Sequence, residues 1–136
     1  MEHRADHLHP RNAAAVGPGP GATAAAESAD LLIVGAGSVG LFGAYCVGVR
    51  DMSTVVIDSL DQPGEQVTVM YTEKAIYDVA GFPAVKGSEL IGQLLAQAVP
   101  FDPAYVLGDQ AVSLQKTGDG FVVATASGVT CTAGLS

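Results

Sequence analysis

Four apolar residues in a row, Leu31 to Val34, run into a glycine. A continuous run this short, stopped by a turn signal, predicts a strand covered on both faces. Residues 41–49 are apolar all round, which suits a buried helix, and 54–58 form a second buried strand, Thr-Val-Val-Ile-Asp. Residues 30–58 therefore predict a β-turn-α-turn-β unit with a right-handed crossover. Residues 59–87 are irregular, and a stretch of that length without periodicity is usually functional. Ser88 is expected to cap a helix through Val99, with Leu90, Ile91, Leu94, Leu95 and Ala98 on one face and Pro100 as the stop. A third short strand covers 104–107. Residues 110–117, 121–126 and 129–132 follow as three antiparallel strands joined by glycine turns.

Composition changes the picture at the beginning of the chain. Residues 1–29 carry an Ala/Gly/Pro tract with few large side chains, so this segment predicts a disordered tail, and residues 30–136 hold the folded unit. His3, His7 and His9 fall in the tail without a cysteine or a scaffold, and no metal site is expected. The 136 residues carry 6 Lys+Arg against 14 Asp+Glu, a net charge of −8. So few cations cannot build a phosphate-binding patch, which argues against nucleic acid. No apolar stretch reaches the length of a membrane helix. Cys46 and Cys131, 85 positions apart, make no paired motif. They predict small buried side chains in a reducing, cytoplasmic setting.

The candidate chemistry lies at Gly35-x-Gly37-x-x-Gly40. The first glycine permits a tight turn off the strand and the second admits a pyrophosphate close to the backbone. The third lets the helix pack closely on the strand, with Ser38 in the same loop. The phosphates would then meet the free N–H groups and the positive end of the helix. Asp58 ends the next strand 18 positions after Gly40. A carboxylate there can accept both ribose hydroxyls and would repel a 2′-phosphate, so FAD or NAD is favoured over NADP. Ala44, one turn beyond Gly40, extends the pattern to GxGxxGxxxA, frequent among FAD-binding units. Asp51 occupies a position after the helix where glycine is usual, and aspartate tolerates a left-handed backbone there.

The runs DLLIVGAGSVGLFGAY, STVVIDS, EKAIYDVAGFP and YVLGDQAVSL resemble the FAD domain of the thioredoxin-reductase-like ferredoxin/flavodoxin–NADP reductases, from about Asp30 onward. The resemblance implies a Rossmann-like α/β fold, with a parallel sheet and an antiparallel three-stranded meander, incomplete at the C-terminus. It implies FAD as cofactor, NADP(H) as co-substrate of the complete enzyme, a ferredoxin or flavodoxin-like carrier as partner, and a homodimer for the full-length proteins. Asp58 would hold the ribose, Gln66 would contact the flavin, Tyr71 would pack on it, and Ala111 (or Val112) would read adenine through its backbone. No side chain is assigned a catalytic role. Glu65 stands where the family has glycine. The family's proteins are more than twice as long, so the chain reads as an N-terminal piece of such a reductase.

Two other readings stay open: a non-catalytic nucleotide-binding fragment, and a piece of a thioredoxin reductase, against which only IYDVAGFP argues. A sheet lacking its usual neighbours is also expected to leave an exposed edge near residues 129–132.

Overall fold

The computed structural model describes residues 26–71 and 73–134. The three tail histidines, and the tail reading as a whole up to residue 25, lie outside the described residues. A parallel sheet of three strands occupies the middle of the fold: β2 (Leu31–Val34), β3 (Thr54–Ile57) and β6 (Ala104–Val106), in the order β2-β3-β6. Its centre, β3, is buried along its whole length, with Val55, Val56 and Ile57 each 1% exposed or less. Three β-branched side chains buried this completely stabilise the fold by about 1.5–3 kcal/mol apiece.

Alternation along β3 divides the core in two. Val56 faces the helices α1 (Ser38–Gly48) and α3 (Gly87–Ala98), packing with Ala36, Ala44, Ala98 and Leu107. Val55 and Ile57 face the other way, onto Val106, Val123, Val129 and Cys131. That second layer is a sheet in the order β1-β9-β8-β7, formed by β1 (Ala26–Ala29), β9 (Thr130–Gly134), β8 (Gly120–Thr125) and β7 (Ala111–Lys116). Two cores on opposite faces of one short sheet explain why its strands read as unbroken apolar runs.

The helices also settle two details of the sequence reading. Asp51, just past α1, takes φ 58°, the left-handed conformation anticipated there. α3 begins at Gly87 with Lys86 as N-cap, so Ser88 lies inside the helix and caps nothing. The helix gives way at Ala98 to a single 3-10 turn, Val99–Phe101, that contains Pro100. Residues 59–87 hold a short helix, α2 (Glu65–Met70), and a small hairpin of β4 (Ala75–Ile76) and β5 (Val85–Lys86).

Two further expectations need correction. Ala26–Ala29, placed in the disordered tail, is a strand that pairs in parallel with β9, Ala26 opposite Thr130 and Ala29 opposite Ala133. AESA carries no strand signal of its own, and its conformation comes from the neighbour it pairs with. Asp30 then turns the chain from one sheet to the other: its carboxylate accepts the Ser53 N–H at 2.8 Å, and its own N–H donates to Ser53 Oγ at 2.9 Å. The second correction follows from the first. Flanked by β1 and β8, β9 is not an edge. The edges are β1 and β7 in this sheet and β2 and β6 in the other, and β2 and β7 border a groove of about 850 Å³ lined by Leu31, Val34, Val112, Leu114 and Phe121.

Leu114 on β7 is 70% exposed and Val112 58%. Apolar edges of this kind recruit other strands. The 136-residue chain is expected to self-associate, and Leu114→Lys to lower its average mass in sedimentation. An unchanged mass distribution would place the contact elsewhere.

Candidate dinucleotide site

The site assembles where β2 turns into α1. Gly35 takes φ 113°, a conformation that side chains rarely adopt, and its N–H donates to the Ile57 carbonyl at 2.7 Å. The strand pairing thus runs on into the turn before the chain reverses. At Gly40 a Cβ would fall on the Gly35 carbonyl oxygen and come within 3.2 Å of Ile33 Cγ2. Only glycine lets α1 begin this close to the strand. Above Gly35 and Gly37 the situation is reversed, because a Cβ there would meet nothing within 4 Å. The backbone is open on that side.

α1 has Gly37 as N-cap, no side-chain cap and no acidic residue in its first turn. Its first amides therefore lack an intrahelical acceptor, and the positive end of the helix dipole is unneutralised by its own side chains. An open glycine cradle over such a terminus fits a pyrophosphate.

Asp58 follows β3 and closes the site. Its Oδ2 accepts the Ala36 N–H at 2.6 Å and its Oδ1 accepts the Leu60 N–H at 2.8 Å. Each oxygen retains a lone pair for a further donor. The side chain is half-buried at the mouth of the turn, where the motif spacing put it.

The other candidate residues arrive on two further segments. Gly64 donates its N–H to the Ala36 carbonyl at 2.6 Å, which fastens the start of α2 to the glycine turn. Gln66 lies exposed on α2, and Tyr71 follows its last turn at 38% exposure. Glu65 is drawn back into its own loop, accepting the Gln62 N–H at 3.3 Å. On the opposite side, Asp109 N–H donates to the Asp58 carbonyl at 3.1 Å, which ties the segment leading into β7 to the Asp58 backbone. Ala111, half-buried, opens β7 opposite Thr125, and the register shift between Ala111 and Ser113 makes Val112 a bulge. Gly35, Gly37, Ser38 and Gly40 thus share one turn, Asp58 is bonded to it through Ala36, and Gln66 and Ala111 are carried by segments bonded to the turn or to Asp58.

Sequence reasoning did not single out Asp109 and Ser127. Asp109 is 5% exposed, and its carboxylate accepts the Ser127 N–H at 3.1 Å and the Ser127 hydroxyl at 2.5 Å. Burial pushes this carboxyl up, but the bonds from Ser127 and Thr125 outweigh it and hold the group below its ordinary value. The signal was an acid placed directly after Gly108 at a strand end. Cys131 is fully buried, and burial, with Glu27 and Asp109 nearby, pushes its thiol up, consistent with an inert core side chain. No group of metal-ligating side chains occurs among the described residues, and none of their helices is long and apolar enough to cross a membrane.

A β-strand that enters a helix over a glycine turn, with an acid ending the neighbouring strand, is the Rossmann-like arrangement of dinucleotide-binding proteins. Solved structures show the same fold: thioredoxin reductase from T. acidophilum superposes with a TM-score of 0.63 at 26% identity, over 79% of this chain and 33% of that one. Thioredoxin reductase from Lactococcus lactis gives 0.66 at 19% identity, over 78% and 33%. No family model matches the chain. Among curated proteins, ferredoxin–NADP reductase from Frankia alni is 54% identical over 98 residues, 72% of this chain and 30% of its own length. The protein of the same name from Thermus thermophilus is 49% identical over 109 residues, 80% and 32%. The chain is a partial homologue of the ferredoxin–NADP reductases, spanning about a third of the length of these relatives.

Proposed function

We propose that the chain is the FAD-binding portion of a cytoplasmic flavin oxidoreductase that passes electrons between NADPH and a ferredoxin or flavodoxin-like carrier. One observation carries the reading. The Asp58 carboxylate is bonded to the Ala36 amide inside the glycine turn, at the edge of an open backbone cradle and an uncapped helix start. Gly35, Gly37, Ser38 and Gly40 would take the pyrophosphate, Asp58 the ribose hydroxyls, and Ala111 the adenine through its backbone. Gln66 and Tyr71 would meet the flavin end. When bound, the flavin supplies the exchange between hydride and single-electron transfer, and the protein supplies orientation and electrostatics. The carboxylate repels a 2′-phosphate, so NADP(H) belongs to a different site of the complete enzyme.

Titrating the purified chain with FAD tests this. The expected result is saturable quenching of flavin fluorescence, competed by ADP and not by NADP+. A preparation that stays colourless with FAD in excess would leave a nucleotide-binding fold without its ligand and overturn the proposal. No NADPH-driven reduction of an artificial acceptor is expected from these 136 residues alone.

Glu65 offers a second test. A carboxylate next to Gln66, where the family has glycine, disfavours added negative charge on a flavin held there. Glu65→Gly is expected to raise the flavin midpoint potential in a spectroelectrochemical titration. An identical midpoint would show that the carboxylate, folded onto Gln62, does not reach the ring electrostatically.

A further inference from the structure

The most deeply placed charged group described in the molecule, Asp109, lies outside the glycine turn and is tied to it by an unbroken series of bonds. Its carboxylate is held by the N–H and hydroxyl of Ser127, in the turn between β8 and β9. Its N–H donates to the Asp58 carbonyl. Asp58 in turn donates its N–H to the Val106 carbonyl at 2.9 Å, and its carboxylate holds the Ala36 amide. On the other side, the Gln110 carbonyl accepts the Ala126 N–H at 2.8 Å, and Ala111 stands opposite Thr125. The residues assigned to ribose and adenine, Asp58 and Ala111, therefore flank Asp109. They come from two different sheets, and Asp109 is bonded to both: through its carboxylate to Ser127 beside one, and through its N–H to Asp58 at the end of the other.

A buried ionised carboxylate is costly unless it is well bonded, and hydrogen bonds to a charged group are the strong ones. Such a group is a poor general-purpose staple for two sheets that already share an apolar core. Its value is geometric. It fixes the path of residues 108–111 to within the tolerance of a charge-assisted bond, at the one place where that path sets the position of both nucleoside-binding residues. We infer that Asp109, clamped by Ser127, is a positioning residue for the adenosine half of the dinucleotide, holding Asp58 and Ala111 in register with one another. The inference rests on the proposed dinucleotide reading and touches no ligand itself.

Ser127→Ala tests it with the least disturbance, since the backbone N–H to Asp109 survives and only the hydroxyl is lost. ADP is the probe, titrated at a temperature well below the melting midpoint of each variant. ADP binding is expected to weaken about tenfold, with Ser127→Thr restoring it and Asp109→Asn weakening it at least as much as Ser127→Ala. The backbone amide resonance of Ala36, which reports its bond to Asp58 Oδ2, is expected to shift in Ser127→Ala and return in Ser127→Thr. A merely structural staple would lower the melting midpoint and leave both the ADP affinity and the Ala36 resonance of the folded protein as they are, and that result overturns the inference. A wild-type chain that binds neither ADP nor FAD overturns the dinucleotide reading first, and the positioning role with it. In that case the Ala36 resonance still tells whether Asp109 governs the placement of Asp58.

Discussion

Gly37→Ala and Gly40→Ala are expected to part company, although both fall in the same motif and add the same methyl group. At Gly40 the new Cβ meets the Gly35 carbonyl and the Ile33 side chain, all of them held by the sheet and the turn, so the helix must move away from the strand. Forcing a methyl into packed backbone costs about 3 kcal/mol, which corresponds to about 10 °C or more of melting temperature in a domain of this size. At Gly37 the Cβ enters open space, and the φ of −78° is ordinary for any residue. The melting temperature is expected to stay within about 2 °C of wild type, because exposed substitutions free of such clashes change stability little. FAD binding should nonetheless collapse, since the methyl occupies the cradle over the helix start where the backbone must approach the phosphates. Thermal scans beside flavin titrations separate the two. Equal loss of stability in both variants would mean that the cradle is not open.

The second large effect is expected at Asp58. Asp58→Ala removes the acceptor for the Ala36 and Leu60 amides as well as the group proposed for the ribose. Hydrogen bonds to a charged group are worth about 1.5–3 kcal/mol, so a loss of about a hundredfold in FAD affinity is expected. Asp58→Asn keeps the size and one carbonyl acceptor, and about a tenfold loss is expected. It also removes the negative charge that excludes a 2′-phosphate, so NADP+ should begin to compete with FAD. Wild-type discrimination against NADP+ in Asp58→Asn would show that something other than this carboxylate sets the preference.

Much of this is legible in the amino-acid order. The βαβ unit could be read because its cues are local: an apolar run that stops at glycine, three glycines at fixed spacing, and an acid ending the next run. Each of those residues does its work within a turn or two of its own position in the chain. The left-handed Asp51 was equally local, since that backbone conformation suits few residue types. The meander was legible in its three strands and its glycine turns.

The segments that were misread depend on distant partners. Ala26–Ala29 is a strand only because β9, more than a hundred positions on, offers it a ladder. The same pairing turns β9 from an edge into an interior strand and leaves β1 and β7 as the edges of that sheet. Helix α2 is a single short turn-and-a-half with no buried residue, so no apolar stripe marks it. Its position comes from the Gly64 bond to Ala36. Asp109 carries a buried charge, and nothing in the neighbouring letters announces that Ser127 will be there to receive it.

By itself, then, the amino-acid order determined the parallel strands, the glycine turn and the acid beside it, because steric and helix-terminus effects act between residues close in the chain. Tertiary structure alone decided which strands stand at the edges, that Asp109 is bonded to both Ser127 and Asp58, and which segments meet Asp58. Those depend on hydrogen bonds between groups far apart in sequence, and such bonds exist only once the chain has brought both partners out of water.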